Sequence, residues 1–297
     1  MKRLLLLSLC VLSLVAHAEL KVFTTVPEWG ALAREIGGNR VNVFVATNGL
    51  QDPHRVEARP SLIAHARNAD LVVATGAELE IGWLPLVLRD SGNPKVQPGQ
   101  PGYFEASRYV HLLEIPTRLD RADGDVHPGG NPHIQTDPRN FLKIGEALAT
   151  RLAQLDAANA SEYQANFRNF ADRWKAAISK WKMAAAPLRD VHVVTQHKAF
   201  PYLYDWLGIV EVGTLEPKPG VEPSVSYLGQ VVAQVDAQKP RAVIRAAYSS
   251  PRPADWFAEQ AHVPAVVLPF TVGGDEQAKD LFSLFDDTVA RLLKGLQ

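Results

Sequence analysis

Two histidines and three carboxylates crowd the stretch from Asp123 to Asn140, where proline and glycine hold the chain out of regular structure. Imidazole nitrogens and carboxylate oxygens are the donors a borderline metal such as zinc takes. Three other short runs offer the same chemistry: Asp52-Pro53-His54, Gln196-His197-Lys198 and Gly273-Gly274-Asp275-Glu276. Taken singly, each histidine here is more often a plain loop residue. His54, His133 and His197 share a position, in loops flanking predicted strands and helices, and that favours a joint role. Pro53 and Pro132 each fix a φ beside a histidine and stiffen its approach. His127 sits six residues before His133 in an Asp/Gly segment with Asp123 and Asp125; it reads as a secondary donor that hands metal inward, or equally as solvent decoration. His65, His111, His192 and His262 lack this setting and read as structural.

Cys10 is the only cysteine. It lies in a leader-like start: Lys2-Arg3, an apolar run from Leu4 to Val15, then Ala16-His17-Ala18. Basic, apolar and small-x-small regions in that order predict a signal peptide over residues 1–18, cleaved near Ala18 to leave an exported, periplasmic chain. The apolar run is well short of the roughly 20 residues that span a bilayer, and Leu9 before Cys10 does not suit lipidation, so no membrane anchor is expected. Without thiolates, any metal must be held by His, Asp and Glu. The 31 basic residues less Lys2 and Arg3 leave 29 against 32 acidic. That balance offers no basic field for nucleic acid.

The elements that would position these donors alternate. Strands are expected at 20–25, 41–45, 69–75 and 109–113, with helices at 27–36, 62–68 (capped by Ser61) and 81–88. From Arg139, apolar residues recur at helical spacing through Leu155. A second helical pattern over 161–186 carries Tyr163, Phe167, Phe170, Trp174, Ile178 and Trp181. The grammar then repeats: strands at 191–195, 209–212, 241–245 and 265–268, with helices at 199–207, 225–238, 253–261 and 280–296. The predicted fold class is α/β. Two similar lobes with mainly parallel sheets, residues 19–160 and 187–297, are joined by one long helix over 161–186, with the metal site in the cleft between them. Ligands gather at the carboxyl ends of strands in open α/β sheets, where these loops fall.

Four ordered motifs carry a resemblance over nearly the whole mature chain: Asp52-Pro53-His54 with Glu57, Pro60 and Ser61; Asn131-Pro132-His133 with Asp137-Pro138; His197-Lys198-Ala199-Phe200 with Gly208; and Glu222-Pro223-Ser224. The segment from Asp156 to Tyr163 fits the same pattern. Together they resemble the cluster A-I metal-binding proteins of ABC transporters, the zinc and manganese periplasmic receptors. The resemblance implies two lobes bridged by a rigid helix, metal in the cleft and no catalysis. It implies an ABC permease as partner, with a periplasmic metallochaperone as a further possible one, and a monomeric receptor. His54, His133 and His197 become the first three ligands. The fourth departs from the pattern, because Leu268 is followed by Pro269-Phe270-Thr271 where family members place a carboxylate. Asp275 is the expected substitute, then Glu276, then Asp280, or a water. Three imidazoles and one oxygen suit zinc as the transported ion, with manganese the alternative. A secreted zinc hydrolase is the rival from another class, but the chain has no His-Glu-x-x-His pair. A zinc store or adhesin is a third reading.

Overall fold

The computed structural model describes residues 19–117 and 127–296. In its first half, β1 (Leu20–Thr24), β2 (Val41–Val45), β3 (Leu71–Ala74) and β4 (Tyr103–Glu105) form a sheet in the order β2-β1-β3-β4. Every pairing is parallel, with Val22 opposite both Val43 and Leu71. The crossovers carry α1 (Pro27–Gly37), α2 (Pro60–Arg67) and α3 (Leu84–Ser91). Strand side chains alternate between faces, so each strand feeds two cores. Val22, Leu71 and Val73 pack on the side of Trp29, Leu32 and Ile36. Phe23, Val72 and Ala74 pack with Leu62, Val87 and Leu88. Helices on both sides explain why β3 reads as an unbroken apolar run.

The second half repeats the plan. β5 (His192–Thr195), β6 (Val210–Thr214), β7 (Val243–Ala246) and β8 (Ala265–Leu268) lie in the order β6-β5-β7-β8, again all parallel. α6 (Pro201–Leu207), α7 (Val225–Val235), α8 (Arg252–Ala261) and α9 (Leu281–Leu296) accompany them.

Between the sheets run α4 (Asn140–Leu155) and α5 (Ala160–Ala184). The 25 residues of α5 extend about 37 Å at helical rise, long enough to join the lobes. An aromatic spine crosses the molecule along them. Trp29 of α1 meets Phe141 of α4 at 5.6 Å between centroids, Phe141 meets Trp174 of α5 at 5.4 Å, and Trp174 meets Trp181 at 5.1 Å. Phe285 of α9 then touches Trp181 at 5.2 Å and Trp206 of α6 at 6.2 Å. The two buried indole nitrogens of α5 find partners, with Trp174 donating to the Pro138 carbonyl at 2.7 Å and Trp181 to Asp286 at 2.8 Å, while that of Trp206 has none among the described residues. One continuous apolar cluster therefore includes Leu71 and Val73 of the first sheet and Ile244 and Leu268 of the second.

Three sequence expectations need correction. No strand forms over 109–113. The fourth strand is Tyr103–Glu105, followed by a 3-10 turn over Ala106–Tyr109. Ser61 does not cap α2, which begins one residue earlier with Pro60 in its first turn and no side-chain cap. The third helix starts at Leu84 rather than residue 81, because residues 76–83 are spent in turns that carry Gly76, Ala77 and Glu78 at positive φ.

Candidate metal centre

His54, His133 and His197 each leave a strand or enter a helix at the cleft, and each is held by local hydrogen bonds. In the loop after β2, Asp52 accepts from both the backbone N–H of His54, at 3.0 Å, and its Nδ1, at 2.9 Å. Trp83 anchors the same loop by donating to the Pro53 carbonyl at 3.1 Å. Before α4, the backbone N–H of His133 donates to the Asn131 side chain at 3.0 Å, and its carbonyl accepts from Thr136 at 2.9 Å. Directly after β5, Nδ1 of His197 pairs with Glu216 at 2.8 Å, and the same carboxylate oxygen accepts from the Gly220 backbone at 2.7 Å.

With Nδ1 engaged in His54 and His197, Nε2 is the free nitrogen of each ring. One ligand atom from each of the three histidines falls within 4.8 Å of the others, and Nε2 of His133 lies 3.2 Å from Nε2 of His197. Two nitrogens bound tetrahedrally to one zinc at the usual bond length stand about 3.3 Å apart. Nε2 of His54, one of the converging nitrogens, is buried with no protein partner. Such an orphan calls for an unseen ligand or ion. Burial, then the imidazoles of His54 and His197, push His133 well below the usual histidine range, so it stays neutral and able to bind metal. Burial would raise Asp52, but its hydrogen bonds to His54 and the charge of that ring outweigh this and hold the carboxyl below its ordinary value.

The expected fourth ligand is not brought to the three histidines. Asp275 pairs with Arg291 of α9 at 2.6 Å, and its other oxygen accepts from the Gln277 backbone at 3.0 Å. Glu276 is exposed, and Asp280 accepts from the Ser283 backbone at 2.7 Å at the start of α9. No carboxylate among the described residues joins the histidines at their spacing. The loop after β8 folds on itself, with the Gly273 N–H bonded to the Ala278 carbonyl at 2.7 Å, and so turns Asp275 toward α9. Phe270 takes the place beside His133 instead, edge-on at 5.2 Å.

His127 is half-buried, its ring 5.5 Å from that of His54. It lines a cavity of about 210 Å³ with His133, His197, Glu114 and Lys198. Burial and the neighbouring imidazoles push it down to about 4. Asp123 and Asp125, its expected companions, lie outside the described residues. Among the remaining histidines, His65 stacks on Phe44 at 3.5 Å and His192 bonds the Gln238 carbonyl at 2.7 Å, in keeping with structural roles. Sequence reasoning missed Glu216. The available signal was its place as the first carboxylate after β6, in a loop of the kind that carries the other donors.

The lobes touch around the site. Asn131 donates to the Lys198 carbonyl at 2.8 Å, Tyr202 donates to the Asn131 carbonyl at 2.5 Å, and Lys198 pairs with Glu114. Arg55 reaches the Gly220 carbonyl at 2.7 Å. Deeper in, Thr271 donates to Glu28 of α1, a fully buried carboxyl that burial pushes up to about 7.

Two parallel α/β lobes bridged by one helix, with three imidazoles converging in the cleft, define a metal-binding receptor rather than an enzyme. Residues 22–295 match the family described as zinc-uptake complex component A, periplasmic (ZnuA), and the chain belongs to that family. Among curated proteins it is similar to the manganese ABC transporter substrate-binding lipoprotein PsaA of Streptococcus mitis, at 22% identity over 94% of this chain and 89% of that one. It is also similar to the high-affinity zinc uptake system protein ZnuA of Bacillus subtilis (strain 168), at 21% identity over 94% of this chain and 87% of that one. A crystal structure of ZnuA superposes with a TM-score of 0.78 at 20% identity, over 94% of this chain and all of that one, and supports the fold.

Proposed function

We propose that this chain is a periplasmic receptor that binds zinc through His54, His133 and His197 and delivers it to an ABC permease for import. The observation that carries the reading is the convergence of three imidazole donors, two of them held at Nδ1 by a carboxylate. Such a carboxylate fixes the tautomer and makes the ring a better donor. Relatives of nearly equal similarity are named for manganese and for zinc, so the choice of ion rests on the donor set. Three nitrogens, with no carboxylate among the described residues joining them in the ligand group, favour zinc, since manganese prefers oxygen-rich, higher coordination. On this reading the lobes are residues 19–160 and 187–297, the bridge is 161–186, and the receptor works as a monomer.

Competitive titration with a chelator of known affinity tests it. Wild type is expected to bind one zinc ion and to prefer it to manganese. His54→Ala, His133→Ala and His197→Ala are each expected to weaken zinc by orders of magnitude. Wild-type affinity in any two of these variants would overturn the assignment.

A further inference from the structure

A cavity of about 390 Å³, larger than the one beside the triad, opens in the first lobe where β3 gives way to the turns of residues 76–83. Its volume falls in the range of pockets that hold ligands, roughly 300–1,000 Å³. Leu84 and Leu88 of α3 line it together with Ile81, which is left 64% exposed. Glu78, Glu80, Glu105 and the Tyr103 phenol complete the wall, and no basic side chain among the described residues joins them. Burial, then the charges of Glu80 and Glu105, push the Tyr103 phenol up, so the interior is electronegative. Glu80 spends both oxygens on the Thr25 hydroxyl and the backbone N–H groups of Thr75 and Gly76, and Glu105 is paired with Arg108 at 2.7 Å. Glu78 is exposed, carried at a φ of 64° behind Gly76 and Ala77, which are left-handed as well. It is the carboxylate of this group that meets a cation from outside.

The turns that wall this cavity also brace the metal centre. Trp83 donates to the Pro53 carbonyl at 3.1 Å, and a Cβ on Gly82 would stand 3.5 Å from the His54 carbonyl oxygen. We propose that the cavity is a docking pocket for a segment of the permease in which a lysine or arginine lies among apolar residues. The inference rests on the reading of this chain as a receptor that hands zinc to such a permease. An apolar wall with an acidic mouth suits an aliphatic stem that ends in a cation, since the stem is buried while the charge stays at Glu78. Ile81 extends the apolar wall onto exposed surface, so the complementary occupant is a protein segment, which covers more than the cavity, rather than a small free amine. A segment seated there bears on the turns that hold the His54 loop. The protein that gains by loosening that histidine is the one that takes the metal.

Ile81→Asp and Glu78→Lys in the zinc-loaded, full-length receptor test the inference, with binding measured to its permease in lipid nanodiscs. Both residues are exposed and neither touches the histidines, so each variant is expected to keep wild-type zinc affinity. Ile81→Asp should weaken permease binding about 10-fold or more, the scale of an anchoring residue in an interface. Glu78→Lys should weaken it by an amount that shrinks as salt is raised. Met183→Asp, at a 73% exposed apolar position on α5, serves as the control and should bind as wild type does. If wild type binds the permease and both pocket variants match it, this inference falls alone. If wild type does not bind the permease, the receptor reading falls and takes this inference with it. A wild-type dimer that Ile81→Asp splits would make a second copy of this chain the occupant and overturn the assignment to the permease.

Discussion

At the centre of the site the decisive distinction is between carboxylates that face a histidine and those that do not. Glu216 bonds Nδ1 of His197, whereas Asp275 bonds Arg291. Glu216→Gln is therefore expected to weaken zinc about 10–100-fold, because the imidazole loses its anionic partner. Asp275→Asn should leave zinc affinity unchanged and lower stability by about 1 kcal/mol or less, the range of a half-exposed ion pair. Parallel chelator titrations and denaturant melts of the two variants would check this contrast. The same pair shows what residue types reveal. His54 and His133 were legible because each follows a proline in a donor-rich loop. The diversion of Asp275 was not, because Arg291 lies a full helix away in sequence and only tertiary packing brings it back.

Among the elements, α1 and the loop after β8 meet through a group that titrates near neutrality. Glu28 is raised from 4.5 to about 7 by burial, helped by the nearby charge of Glu80 and opposed by the Thr271 hydrogen bond. The folded protein thus keeps a proton there that the unfolded chain has already lost. Stability should fall as pH rises from about 4.5 to 7 and be flat below that window, by on the order of 3 kcal/mol from this group. Urea melts across the range would measure it, with Glu28→Gln flattening the slope. Glu80 is shifted in the same direction, again chiefly by burial. In α5, Trp174 is fully buried against Phe141, Phe170 and Phe285. Trp174→Ala should cost about 3–5 kcal/mol in the same melts. The helical periodicity of α4 and α5 made both helices readable from apolar spacing alone. β4 was missed because Tyr103–Glu105 is a three-residue strand, too short for alternation to declare itself, while the β-branched and apolar run at 109–113 imitated one.

Across the whole molecule, the aromatic spine and the shared core leave little for a wide hinge to open. Gly49 makes the point locally: a Cβ there would stand 2.1 Å from the Gly273 carbonyl carbon, so backbone of one lobe presses on backbone of the other. Small-angle scattering of the metal-free and zinc-loaded protein is expected to give the same radius of gyration within error, with changes confined to the loops that carry the histidines. A clear compaction on loading would refute the rigid bridge. The repeated strand–helix grammar foretold two lobes of one plan. It did not foretell their fusion, since the apolar faces of α4, α5 and α9 look alike whether they close one core or two.

That fusion also sets how fast the native state can be reached. Phe141 meets Phe285, and Trp174 meets Phe282 and Phe285, across more than a hundred residues of intervening chain. The packing around α5 is not complete until α9 has docked, so a chain that lacks residues 281–296 leaves Trp174 and Trp181 without their Phe282 and Phe285 neighbours. Contacts of such sequence separation slow folding, and the exposed indoles mark the interval in which an incomplete molecule is most prone to stick to its neighbours.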